Sequence, residues 1–193
     1  MVEKYHVIII GGGPAGIFAA LELSQDPSLK VIILEKGRNL AERRCVSKEK
    51  GVDCVGCSPC GIVCGWGGAG AFSDGKLTLS TEVGGFLDEY VPKAKLHQYV
   101  RMVDDIYLRY GAPAEVFGTD DEAIARIEKQ AVLADLRLIP SRIRHLGTGR
   151  SQEVLQAMQD ALIERGVVIE TEVEVDEIIV ESGRAAGVRT KDG

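Results

Sequence analysis

The chain has 193 residues and a net charge of 23 minus 29, or -6, with 45% hydrophobic and 27% charged side chains. This balance fits a globular protein with a full core; it excludes disordered, collagenous and membrane-spanning classes and makes nucleic acid an unsuitable main partner. The apolar run that ends at Gly11 is too short for a signal-peptide core or a membrane span, so the chain is expected in the cytoplasm, away from membranes.

Tyr5 to Ile10 is a continuous run rich in β-branched residues, as expected for a strand buried on both faces of a parallel sheet. It meets Gly11-Gly12-Gly13-Pro14-Ala15-Gly16, in which Gly11, Gly13 and Gly16 fill the glycine positions of G-x-G-x-x-G. A helix follows to about Ser24, with Ala15, Phe18, Ala19, Leu21 and Leu23 as its packing residues, and Asp26-Pro27 breaks it. A second apolar strand, Val31 to Leu34, ends on Glu35. Every part has a physical role. Gly11 permits the tight turn, Gly13 lets backbone approach a pyrophosphate, and Gly16 lets helix and strand pack closely. Free N–H groups and the dipole of the helix start, which follows Gly13 and opens on Pro14 and Ala15, favour phosphate charge. Glu35 is placed to accept from both ribose hydroxyls of an adenosine and to repel a 2'-phosphate. These residues specify a dinucleotide and leave FAD and NAD open.

The segment from Val7 to Gly16, with Glu35-Lys36-Gly37, resembles the amino terminus of flavoproteins with the glutathione-reductase type of FAD domain. The resemblance implies FAD on the first βαβ unit, with Lys36 beside it and Arg38 or Arg43 near the phosphates; solvated surface arginines are the other reading.

All five cysteines lie between Cys45 and Cys64, which in a reducing compartment suggests ligands or redox groups rather than structural bridges. Cys54, Cys57, Cys60 and Cys64 are spaced C-x2-C-x2-C-x3-C, the spacing of a bacterial ferredoxin loop, although Gly65 stands where ferredoxins have proline. A [4Fe-4S] centre on these four, or with Cys45 replacing Cys64, is one expectation. Zinc on the same thiolates, redox-active thiols beside a flavin, and a loop with no metal are the others.

Next, Gly65 to Thr78 is a glycine-rich stretch whose backbone can approach a flat ligand closely. Within it, Gly67-Gly68-Ala69-Gly70-Ala71-Phe72-Ser73-Asp74-Gly75-Lys76-Leu77 resembles the G-G-A-G-x-F-S-D-G-K-L signature of the uncharacterised bacterial FAD-dependent, NAD(FAD)-utilizing dehydrogenases. The resemblance implies contacts to the flavin from Gly68 and Ser73. Lys76 would steady a negative flavin edge or an anionic substrate; a salt-bridged loop lysine is the alternative.

Leu96, Tyr99, Val100, Val103, Ile106, Tyr107 and Tyr110 recur at helical spacing up to Gly111. Asp120 and Asp121 are candidate caps of a second helix to about Ala134, with Ile124, Ile127, Ala131 and Val132 facing inward, and Leu136 to Ile139 reads as a short strand. Arg137, Arg142, Arg144 and Arg150 with His145 form a basic stretch suited to phosphate or carboxylate, or to a solvated face. Ser151 is expected to cap a helix packed through Val154, Leu155, Met158, Ala161 and Leu162 and closed by Gly166. A strand from Val167 to Val173 follows; in related flavoproteins this segment crosses the adenine, which implies backbone bonds from Val173. Two meander strands, 176–180 and 185–190, turn at Ser182-Gly183, and Lys191-Asp192-Gly193 is a turn signal where a further strand is expected.

The expected architecture is α/β, a doubly wound parallel sheet of Rossmann-like FAD-binding type with a β-meander and an inserted, largely helical segment. The expected divisions are 1–83 for the first part of the FAD domain, 84–144 for the inserted substrate segment and 145–193 for the continuation. Proteins resembling this one continue further, so an amino-terminal fragment with exposed strand edges, weak FAD binding and self-association is expected. The expected function is an FAD-dependent oxidoreductase acting on a small molecule, with NAD(P)H as a candidate hydride donor. The alternative is a non-catalytic nucleotide- and metal-binding electron-transfer module.

Overall fold

A computed structural model describes residues 4–192, so Met1 to Glu3 and the terminal Gly193 of the turn signal lie outside the described residues. In chain order the elements are β1 (Val7–Ile10), α1 (Pro14–Leu23), β2 (Val31–Glu35), α2 (Val46–Lys50), β3 (Lys76–Thr78), α3 (Lys93–Arg109), α4 (Asp121–Leu133), β4 (Ile143–His145), α5 (Thr148–Glu164), β5 (Val168–Thr171), β6 (Val175–Glu181) and β7 (Arg184–Thr190). They form two compact units, Met1–Ser73 with Ser151–Gly193, and Asp74–Arg150. The second unit begins and ends outside the 84–144 segment expected from sequence.

The first unit holds a parallel sheet in the order β1-β2-β5. This is the expected α/β architecture of a Rossmann-like dinucleotide-binding domain. The central position of β2 explains its sequence: all five residues of Val-Ile-Ile-Leu-Glu are buried, which suits an unbroken apolar run. β1 differs from expectation. It lies at the end of the described sheet with one unpaired edge, so it is half-buried and Ile10 is 50% exposed.

Helix α1 buries Ile17, Ala20 and Leu21, an i, i+3, i+4 stripe. Of the face expected from sequence, Ala15 and Ala19 are exposed, because the stripe is centred one residue away. A Cβ on Gly16 would collide with the carbonyl oxygen of Gly11, so the close approach of helix and strand requires glycine there. Helix α5 starts three residues before the expected cap, which leaves Ser151 buried inside the helix instead of at its end. Its apolar face is as expected: Val154, Met158 and Leu162 are fully buried, each contributing about 1.5–3 kcal/mol. β6 and β7 pair antiparallel through Ser182 and Gly183, both at positive φ, as a tight two-residue hairpin turn requires.

In the second unit β3 pairs antiparallel with β4, and Phe117 bridges to Ile143. Asp120 caps α4 through Oδ1, which accepts from the Ala123 amide at 2.9 Å. The expected inward face of α4 is not buried: Ile127 is 47% and Val132 66% exposed. Leu136 to Ile139 forms no strand, since nothing pairs with it and Leu136 and Ile139 stay exposed. Among the described residues no helix is long and apolar enough to cross a membrane.

Candidate dinucleotide-binding site

The site starts at the β1–α1 turn. Gly11 adopts φ +104°, which an L side chain rarely tolerates, and its amide donates to the Leu34 carbonyl at 2.8 Å. Gly13 is the extended residue before α1, and Pro14 occupies the first turn, where its missing N–H costs nothing. The amides of Ala15 and Gly16 precede the first intrahelical bond, from Ile17 to the Gly13 carbonyl at 3.0 Å. They are therefore donors without a helical acceptor at the positive end of the dipole. A Cβ on Gly13 would meet nothing within 4 Å, so the loop leaves open space where a phosphate needs it.

Glu35 does more than the sequence reveals. The residue is 6% exposed, and its carboxylate accepts three backbone amides: Gly12 at 2.6 Å on Oε2, and Gly37 at 2.8 Å and Gly65 at 2.9 Å on Oε1. A carboxylate offers about four lone-pair sites, so the expectation that it meets both ribose hydroxyls is reduced to one, on Oε2. One acid thus ties the glycine turn, the end of β2 and the second glycine cluster together.

Gly11, Gly13, Glu35, Lys36, Gly68 and Val173 line one cavity of about 450 Å³, within the usual range for small-molecule sites. Pro14, Ala15, Gly16 and Ser73 do not line it. The Val173 amide donates to the Glu35 carbonyl at 3.0 Å, which leaves its own carbonyl for a ligand. Ser73 is exposed and its hydroxyl donates to the Gly70 carbonyl at 2.9 Å. Lys76 belongs to the second unit and pairs with Asp74 at 2.7 Å, as a salt-bridged loop lysine would.

Neither arginine expected near phosphates stands free. Arg38 pairs with Glu172 at 3.1 Å on the surface. Arg43 is 5% exposed and donates to four carbonyls, of Gly61, Ile62, Trp66 and Gly68, at 2.7–2.9 Å, with Phe72 stacked 4.8 Å from its guanidinium. Burial pulls its pKa down from the ordinary arginine value, opposed by the charge of Glu35 and then of Cys64 and Cys60. Trp66, whose role no sequence pattern announces, is wholly buried and donates Nε1 to the Leu155 carbonyl at 2.9 Å.

All five cysteines are free thiols; Cys54 and Cys57 are exposed, and Cys45, Cys60 and Cys64 half-buried. Cys57, Cys60 and Cys64 line a second, smaller cavity of about 240 Å³. Among the described residues no three His, Cys, Asp or Glu side chains are grouped to hold a metal, so the four sulfurs of the expected [4Fe-4S] or zinc set are not gathered in this arrangement. The thiol of Cys60 lies below its ordinary pKa because the Ile62 and Val63 amides bond to the sulfur, with Arg43 adding charge.

The sequence matches the pyridine nucleotide-disulphide oxidoreductase family over residues 5–59. It is 31% identical over 144 residues to an uncharacterised protein of Clostridium beijerinckii, covering 75% of this chain and 24% of that one. The fold is similar to that of a 3-ketosteroid-Δ4-(5α)-dehydrogenase from Rhodococcus jostii RHA1, with TM-score 0.55 and 16% identity over 99% of this chain and 43% of that one. It is also similar to that of a glycine oxidase from Geobacillus kaustophilus, with TM-score 0.53 and 17% identity over 100% of this chain and 53% of that one. The chain therefore spans about a quarter of its curated relative and about half or less of these solved structures. Residues 5–59 are thus similar to the pyridine nucleotide-disulphide oxidoreductase family, and the α/β fold is similar to part of these larger proteins.

Proposed function

We propose that this chain is the FAD-binding part of a cytoplasmic oxidoreductase that acts on a small molecule, with NAD(P)H or an organic compound as hydride donor. The observation that carries this reading is the convergence of Gly11, Gly13 and Glu35 on one cavity beside a helix start with free amides. A bound flavin would supply hydride and electron transfer.

The residues themselves do the binding. Ala15 and Gly16 amides, with the dipole of α1, hold pyrophosphate charge. Glu35 accepts one ribose hydroxyl on Oε2, and its charge disfavours a 2'-phosphate. The Val173 carbonyl is available to an adenine amino group.

Two alanine variants separate binding from folding. Gly13→Ala fills open space at an ordinary φ of -80° and should fold with little change in stability while binding FAD at least tenfold more weakly. Gly16→Ala should lower the melting temperature, because its Cβ meets the Gly11 carbonyl. FAD binding is read by quenching of flavin fluorescence. Wild-type chain that binds no FAD, or Gly13→Ala that binds it unchanged, refutes the reading.

A further inference from the structure

The second unit has a cavity of its own, of about 560 Å³, which the dinucleotide site does not use. One wall is a single stripe of α3: Ala94, His97, Gln98, Arg101 and Asp104, at spacings of three and four residues. The other wall is Leu79 and Arg142, held together because the Leu79 amide donates to the Arg142 carbonyl at 2.8 Å and so continues the β3–β4 ladder.

The charges in this cavity do not cancel. Asp104 is its one acid, and both its carboxylate oxygens are taken by Arg144, from Nε at 2.6 Å and Nη2 at 2.8 Å. Arg144 is 3% exposed, and its remaining nitrogen donates to the Pro113 and Glu115 carbonyls. That pair is closed. Arg101 and Arg142 have neither an ion pair nor a side-chain hydrogen bond among the described residues, in a chain with six more acids than bases. Two unpaired guanidiniums on facing walls, with Leu79, Ala94 and Val100 beside them, leave a basic pole next to an apolar surface.

We propose that Arg101 and Arg142 form an anion-binding site for the carboxylate or phosphate group of a small organic molecule whose carbon body rests on Leu79, Ala94 and Val100. A guanidinium donates two parallel N–H bonds to either oxyanion, which suits both heads equally. Gln98 supplies an additional neutral donor. The site stands independently of the flavin reading, since every residue of it lies in the second unit.

Calorimetric titration of the full chain with benzoate, phenyl phosphate and benzamide tests this, the three sharing a ring and differing in the head. Saturable binding of benzoate or phenyl phosphate is expected, and their ranking identifies the preferred head. Benzamide should bind at least tenfold more weakly than the better of the two. Arg101→Gln and Arg142→Gln should each weaken binding roughly tenfold. Arg137→Gln, which removes the same charge from an exposed position outside the cavity, should leave binding unchanged. Matching circular-dichroism melts show that all three variants remain folded. Saturation by neither charged probe, equal binding of benzamide, or equal loss in Arg137→Gln overturns the proposal.

Discussion

Each unit contains one arginine that is almost completely removed from water, and the two are neutralised in opposite ways. Arg144 in the second unit faces a carboxylate, Asp104, in a bidentate pair, and the bond to that acid raises its pKa above the ordinary arginine value. Arg43 in the first unit bonds no acid; it is surrounded by four carbonyl oxygens of the cysteine-rich and glycine-rich loops, and burial lowers its pKa. The Arg144–Asp104 pair fastens two elements of regular structure, α3 and β4. The Arg43 arrangement instead gathers the carbonyls of one loop segment, 61–68, adding to the bonds that Gly65 and Trp66 make to Glu35 and Leu155. A buried cation can therefore act as one half of an ion pair or as the organising centre of a loop.

Substitution should separate the two arrangements. The largest effect is expected for Arg43→Met, which strands four carbonyls with no partner to remove in compensation; at about 1–3 kcal/mol for each acceptor that water does not reach, a loss of about 3–5 kcal/mol in urea unfolding is expected, with Trp66 fluorescence shifting to the red as its surroundings open. Arg43→Lys should recover little, because one ammonium cannot reach four acceptors in a plane. Arg144→Met should cost about 3 kcal/mol by leaving the Asp104 carboxylate unpaired. Adding Asp104→Asn should restore part of that, with a coupling of about 0.5–3 kcal/mol in the double-mutant cycle. An Arg43 variant rescued by a single second substitution would end the distinction. Glu35→Gln should cost about 1.5–3 kcal/mol, since its amide NH2 must face a backbone N–H in place of an acceptor.

The smallest effect concerns Cys60. A pKa below the ordinary thiol value means that its thiolate is already present at pH values where a normal cysteine is protonated. Peptide mass spectrometry after brief iodoacetamide treatment should therefore show Cys60 alkylated ahead of the more exposed Cys54 and Cys57 near pH 7. The lead should shrink as the pH is raised well above the ordinary thiol range, where a lowered pKa no longer gives Cys60 an advantage. Removal of Arg43 should diminish the lead only partly, because the Ile62 and Val63 amides are the larger cause.

What is legible in the sequence follows the range of the forces involved. The dinucleotide turn is legible because strand, glycines, helix and acid are local, each required by the next within thirty-five residues. The second bond set of Glu35 is not, since the Gly65 amide comes from a loop thirty residues further on. Arg43 is expected at phosphates and found elsewhere for the same reason: its acceptors are carbonyls, which no residue type announces. The cysteine spacing is plain in sequence, but spacing does not make four sulfurs converge, and Cys54 and Cys57 are exposed to solvent. In the second unit, the cap and period of α4 specify a helix; which face it buries depends on a neighbour, and the expected one lies open. The alternating residues of 136–139 satisfy the pattern of a strand yet find no ladder to join.

The three amides gathered by Glu35 change what a ligand meets on arrival. Gly12, Gly37 and Gly65 sit in turns that would otherwise sample many backbone states, and fixing each such residue costs about 1–2 kcal/mol of conformational entropy. Because the carboxylate imposes that order when the chain folds, the rim of the cavity is already rigid and a nucleotide need not freeze it. Slow hydrogen exchange at these three amides in the free protein is the signature of such a rim.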